Sequence, residues 1–85
     1  AHVRSGATVH GLDAEILELV ADEGAPITQG PLQDLSLPKG VLIGAVVGAS
    51  VEIATGQTHI QAGQRAVVFA MPHRVDDVEP LFSAS

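Results

Sequence analysis

The sequence predicts an α+β fold, a small mixed β-sheet of about five strands with two short helices. Three observations carry that reading. From Val41 to Phe69, short apolar segments alternate with clusters of Gly, Ser, Thr and Gln, the pattern of strands joined by tight turns. Helix signals flank this run, at Pro31–Leu35 before it and Arg74–Phe82 after it. The chain has only 85 residues, which limits it to one domain.

In chain order, residues 1–12 read as a linker or an N-terminal strand. Thr8 and Val9 favour a strand over Ala7–Leu12. The domain proper spans 13–85. Asp13–Gly24 carries two competing patterns. Asp13 as N-cap, Gly24 as stop and Ile16, Leu17 and Val20 on one face suit a helix, which local propensity favours. A strand over Glu15–Ala21, with acids guarding its edge, is the alternative. Thr28 can cap a helix of barely two turns that carries Pro31 in its first turn, where a missing N–H has no intrahelical partner anyway. Leu32 and Leu35 would point inward, and Pro38 and Gly40 would end it.

Val41–Val47 is continuously apolar and reads as a strand buried on both faces. Val51–Ala54 alternates, with Glu52 outward, and Thr58–Gln61 reads as a further short strand. Arg65–Met71 is the second strongly apolar strand. Pro72 opens the exit to an amphipathic helix with Val75, Val78, Leu81 and Phe82 on one face. Pro80 removes a donor from its last turn.

Composition narrows the function. Ten acids oppose four Lys and Arg, a formal net charge of −6, so the basic footprint of a nucleic-acid binder is missing. The same charge repels an anionic membrane, and no apolar run approaches the roughly 18 residues of a membrane span. Without cysteine there is no disulfide or thiolate-metal site. Residues 1–6, AHVRSG, show neither an initiator Met nor a signal-peptide apolar region, which suggests a cytoplasmic fragment of a longer protein. Aliphatic residues are plentiful and rings scarce, Phe69 and Phe82 being the only two. A domain this small and apolar is expected to bury surface in a homodimer.

The inventory for chemistry is thin. His2, His10, His59 and His73 share no ligand spacing with each other or with an acid, so they read as surface residues and no metal site is expected. Asp76 and Asp77 have the hard oxygens that a divalent cation takes. Their simpler role is a solvated helix face near the positive end of the helix dipole. Gly40–Gly44 looks superficially like a phosphate turn, but strand residues follow it where a helix would be needed. No serine has a paired base. The chain is not expected to be an enzyme.

The order of turns and strands carries a resemblance. Pro31-Leu32, Asp34-Leu35, Leu37-Pro38 and Gly40–Val47 are followed by Val51–Gly56, Thr58, Ile60, Gly63, Arg65 and Val67–Phe69. With His2–Arg4 at the start and Val75–Phe82 at the end, this resembles the C-terminal domain of TrkA-type proteins, also called the RCK C-terminal domain. These are regulatory modules of potassium uptake systems and ligand-gated potassium channels. The resemblance implies a strand at Glu15–Ala21, against local propensity, since tertiary context overrides it. It further implies a homodimer attached behind an N-terminal nucleotide-binding domain, in a cytoplasmic ring beneath a potassium-conducting membrane subunit.

Some relatives bind cyclic di-AMP at the dimer cleft. The corresponding positions here are Leu37, Pro38, Lys39, Gly40, Val41 and Ile43, with Lys39 the only cation. One lysine per subunit would meet one phosphate across a two-fold axis. The chain departs from the family at the short turn Gly48-Ala49-Ser50 and at Gln57 and Gln64, where the family often has acids. The implied function is a non-catalytic regulator of potassium transport. The alternatives are an appendage of another cation transporter or antiporter, sensing a nucleotide or divalent ion, and a purely structural dimerisation module.

Overall fold

A computed structural model describes the backbone of residues 2–3 and all of residues 14–84. Five strands form one sheet: β1 (His2–Val3), β2 (Glu15–Val20), β3 (Val41–Val47), β4 (Val51–Ile53) and β5 (Arg65–Ala70). Their spatial order is β1-β2-β5-β3-β4. Among the described residues one α-helix, α1 (Val75–Phe82), follows β5.

The sheet is antiparallel at every pairing, not mixed. β2 and β3 do run the same way, but β5 lies between them and pairs antiparallel with each. No two parallel strands become neighbours, so no crossover helix is needed.

β2 is a strand, as the family resemblance required, because six consecutive residues pair with β5 from Glu15 opposite Ala70 to Val20 opposite Arg65. Leu17 and Leu19 then point to one face and are buried, the two-residue period of a strand.

Other expectations need correction. Thr58–Gln61 is not a strand. Its alternating burial, with Thr58 and Ile60 in and His59 and Gln61 out, comes from a connection laid on the core. Thr58 N–H is spent on Thr55 O and Thr58 O on Leu32 N–H, while Gln61 N–H donates to Gln64 Oε1, so local bonds replace a ladder. The expected helix after Ala25 is two separate 3₁₀ turns, Pro26–Thr28 and Leu32–Asp34. Thr28 caps neither. Its hydroxyl donates backward to Ala25 O at 2.7 Å, which closes the first turn, and Pro31 occupies the N-cap position of the second. The strand suggested over Ala7–Leu12 lies outside the described residues.

Helix α1 buries Val75, Val78 and Phe82 against the sheet, an i, i+3, i+7 stripe. Asp76 and Asp77 sit in its first turn, where the dipole favours anions. It runs through Pro80 to Phe82, whose carbonyl accepts from Asp22 N–H at 2.9 Å. The core joins these side chains to Ile43 and Val46 of β3, Ala66, Val68 and Ala70 of β5, and Ile27, Leu32 and Ile60 from the connections.

β3 is not buried on both faces. Ile43 and Val46 enter the core, but Leu42 is 64% exposed on the other side. The register breaks between Ile43 and Ala45, leaving Gly44 as a bulge. A Cβ there would lie 2.5 Å from Cε2 of Phe69, so glycine lets the ring lie down over this position and any larger residue must displace it.

Candidate functional site: a hollow beside strand β3

β4 pairs only with Ala45–Val47. Among the described residues no strand pairs with the outer edge of Val41–Ile43. A hollow of about 280 Å³ opens there. Leu32, Gln33 and Leu37 form one wall, Val41, Leu42 and Ile43 the floor, and Ala54, Thr55 and Gly56 the far side.

Local bonds fix both walls. Leu32 N–H donates to Thr58 O and Gln33 N–H to Gly56 O, which ties the 3₁₀ turn Leu32–Asp34 to the loop after β4. Thr58 Oγ1 accepts Thr55 N–H at 2.9 Å, and Thr55 Oγ1 accepts Gln57 N–H at 3.2 Å. A Cβ on Gly56 would stand 3.1 Å from Gln33 Oε1, so glycine lets the Gln33 side chain lie along this rim. The lining is apolar except for Gln33 and Thr55, and it holds no charged side chain.

The six positions singled out from the sequence divide into two groups. Leu37, Val41 and Ile43 line the hollow. Pro38, Lys39 and Gly40 do not. They form the adjoining turn, closed by Val41 N–H to Pro38 O at 3.2 Å with Gly40 at φ +87°. That turn backs onto the C-terminal half: Gly40 O accepts Met71 N–H, and a Cβ on Gly40 would meet Met71 and Arg74 side-chain carbons at 3.1 and 3.3 Å. The Arg74 side-chain carbons thus pack on the turn that carries Lys39, a proximity that sequence separation hides. Arg74 is already engaged, with Nη1 donating to Asp77 Oδ2 at 3.1 Å.

Sequence reading missed Leu32, Gln33, Ala54, Thr55 and Gly56 as lining residues. The Thr55-Gly56 turn was visible, but only as punctuation between strands.

His59 Nε2 meets Thr28 O at 2.7 Å, and His73 is exposed in the 3₁₀ turn Pro72–Arg74. Among the described residues no three His, Asp or Glu side chains converge. No described helix is long and apolar enough to cross a membrane.

The TrkA-C domain family model matches residues 16–83, from within β2 to just past α1. The chain belongs to the TrkA-C domain family. The matched residues include both walls of the hollow and every strand except β1. This TrkA-C domain is 40% identical over 90 residues to "Trk system potassium uptake protein TrkA" of Azorhizobium caulinodans, covering 99% of this chain and 20% of that protein. It is 36% identical to "Trk system potassium uptake protein TrkA homolog 1" of Methanosarcina mazei, covering 94% of this chain and 18% of that one. The TrkA protein of Halomonas elongata is 35% identical over 95% of this chain and 20% of its own length. The TrkA-C domain thus spans about a fifth of the curated relatives it matches.

One of the two glutamines noted in the sequence, Gln64, has a structural role in this TrkA-C domain. Gln64 Oε1 accepts Gln61 N–H at 2.8 Å, closing the turn at Gly63 as a carboxylate oxygen would, without its charge.

Proposed function

We propose that this TrkA-C domain is a regulatory, non-catalytic part of a potassium transport protein. In this reading it works as a homodimer on the cytoplasmic side, carried behind a nucleotide-binding domain and coupled to a potassium-conducting membrane subunit. The observation that carries the reading is the family match over residues 16–83, with relatives named for potassium uptake along nearly the whole chain. A ligand regulates such an assembly only through unequal affinity for its alternative arrangements. The hollow at Leu37, Val41 and Ile43 is the place for that ligand, with Pro38, Lys39 and Gly40 as the adjoining rim. Lys39 is the group offered to a nucleotide phosphate such as that of cyclic di-AMP.

A second reading is favoured by the uncharged lining of the hollow. Here the domain is a dimerisation module without a nucleotide ligand, serving the same transporter or another cation transporter or antiporter. Two experiments test these readings. Removing this domain from the full-length protein should change rubidium uptake in cells, and unchanged uptake would overturn the regulatory assignment. Calorimetric titration of the 85-residue chain with cyclic di-AMP, ATP, ADP and NADH decides the ligand. Heat that Lys39→Ala abolishes supports the nucleotide reading, and no heat with any of the four selects the module without a nucleotide ligand.

A further inference from the structure

With no cysteine and one methionine, the chain carries a single sulfur atom, that of Met71. Met71 stands where β5 ends and the 3₁₀ turn Pro72–Arg74 begins. Its backbone is fixed on both sides, N–H donating to Gly40 O at 2.9 Å and O accepting Arg74 N–H at 2.8 Å. The side chain is not sealed in. Met71 is 38% exposed and lines a second hollow, of about 310 Å³, with Gly40, Leu42 and Phe69. A thioether so placed is open to small solutes, and its flexible stem has room to carry a larger head.

Arg74 supplies an independent observation. Its Nη1 donates to Asp77 Oδ2 at 3.1 Å, but its Nε is buried and has no hydrogen-bond partner. Buried donors are nearly always paired, so an orphan needs a reason. The point that a Cβ on Gly40 would occupy lies 3.1 Å from Met71 Cγ and 3.3 Å from Arg74 Cγ, so both side chains pass over the same glycine. The sulfur is one bond beyond its Cγ, and Nε is two bonds beyond the other. A thioether is a weak acceptor and leaves that N–H unpaired. An oxygen added to the sulfur turns the same side chain into a polar, chiral one.

We propose that Met71 is a modification site for hydrogen peroxide and small hydroperoxides, whose sulfoxide oxygen is held by Nε of Arg74. A lone pair of the sulfur attacks one peroxide oxygen, the S–O bond forms as the O–O bond breaks, and with hydrogen peroxide the other oxygen leaves with both protons as water. The sulfur is oxidised by two electrons and the peroxide is reduced by two. Of the two sulfoxide epimers, one aims its oxygen at Nε, so the folded chain favours that one. The new hydrogen bond lies over Gly40 and joins the Pro38–Val41 turn, which carries Lys39, to the entry of α1. This input goes beyond the regulatory reading, since it needs neither the nucleotide nor the dimer.

Hydrogen peroxide treatment of the folded 85-residue chain, beside free N-acetylmethionine amide, tests this. Mass spectrometry follows the gain of one oxygen, and proton–nitrogen NMR follows the Arg74 Nε–H. Oxidation should run within about tenfold of the free amino-acid derivative, as an exposed thioether does. On oxidation the Arg74 Nε–H should shift and exchange with solvent at least tenfold more slowly. One epimer should dominate, so that one of the two stereospecific methionine sulfoxide reductases reverses most of the product. Met71→Leu should leave the Nε–H signal unmoved by peroxide. Arg74→Lys keeps a cation for Asp77 but lacks Nε, and should give near-equal epimers; if it fails to fold, the Nε–H signal of the unaltered chain decides alone. Oxidation slower than that tenfold range, or an Nε–H indifferent to it, overturns the proposal.

Discussion

Replacing Gly44 by alanine tests the contact between the β3 bulge and Phe69. A Cβ at Gly44 would sit 2.5 Å from Phe69 Cε2 and 3.1 Å from Cδ2, whereas ordinary contact begins near 3.4 Å. The ring edge must therefore recede by about 0.9 Å. Hinged about 4 Å away at its Cα–Cβ bond, it does so by a turn of roughly 10–15°, inside its rotamer well and costing under about 1 kcal/mol. Incomplete relaxation of the neighbours brings the overpacking cost to about 1–3 kcal/mol. Against this, Gly44 does not have a positive φ, so alanine accepts the backbone and narrows the unfolded ensemble, returning about 0.4–1 kcal/mol. The net is about 1 kcal/mol of destabilisation, a fall of roughly 4–8 °C in Tm.

Urea unfolding of Gly44→Ala, Phe69→Leu and the double variant, all at one protein concentration, measures it. Leucine lacks the Cε2 atom that makes the closest approach. The double variant should therefore be more stable than the sum of the singles by about 0.5 kcal/mol or more. Additivity within about 0.3 kcal/mol, or a stabilising Gly44→Ala, would refute the reasoning.

Phe82→Ala empties a position only 1% exposed and should cost about 3–5 kcal/mol. Against a total of about 4–13 kcal/mol for a domain this size, thermal unfolding by circular dichroism should show a near-collapse of Tm. Thr58→Val strips the buried acceptor of Thr55 N–H and should cost about 1–3 kcal/mol in urea unfolding, with faster amide exchange at Thr55. Gly63→Ala meets no neighbouring atom but must hold φ +88°, so a loss of about 1–2 kcal/mol with unchanged spectra is the expected signature of backbone strain alone.

The parts of the fold legible in sequence are those whose period has one reading. β3 and β5 are long apolar runs bounded by turns, and α1 repeats its apolar residues at Val75, Val78 and Phe82. β2 was ambiguous because Ile16, Leu17 and Val20 suit a helical face as well as Leu17 and Leu19 suit a strand. Only β5, far along the chain, decides between them. Thr58 and Ile60 misled for the opposite reason, since a true two-residue alternation arose without a strand partner.

The site was half legible. Leu37, Val41 and Ile43 sit on continuous pieces of chain, but the far wall at Ala54–Gly56 is joined to them by Gln33 N–H to Gly56 O. Reading β3 as buried on both faces counted its apolar residues correctly and misplaced half of them. Nothing within the described chain covers Leu42.

The position of β5 in the sheet has a consequence for how the chain comes together in time. It is the last strand in sequence, yet it lies between β2 and β3 and hydrogen-bonds to both. Before it emerges, the only neighbouring pair available among β2, β3 and β4 is the β3–β4 hairpin. On a ribosome, Leu17 and Leu19 must wait in water for some fifty residues of synthesis, about 3–10 s, until their partner strand appears. Closing that loop requires a long-range search, so the sheet should form late and in one concerted step, with β2 exposed until then to the strands of other unfinished chains.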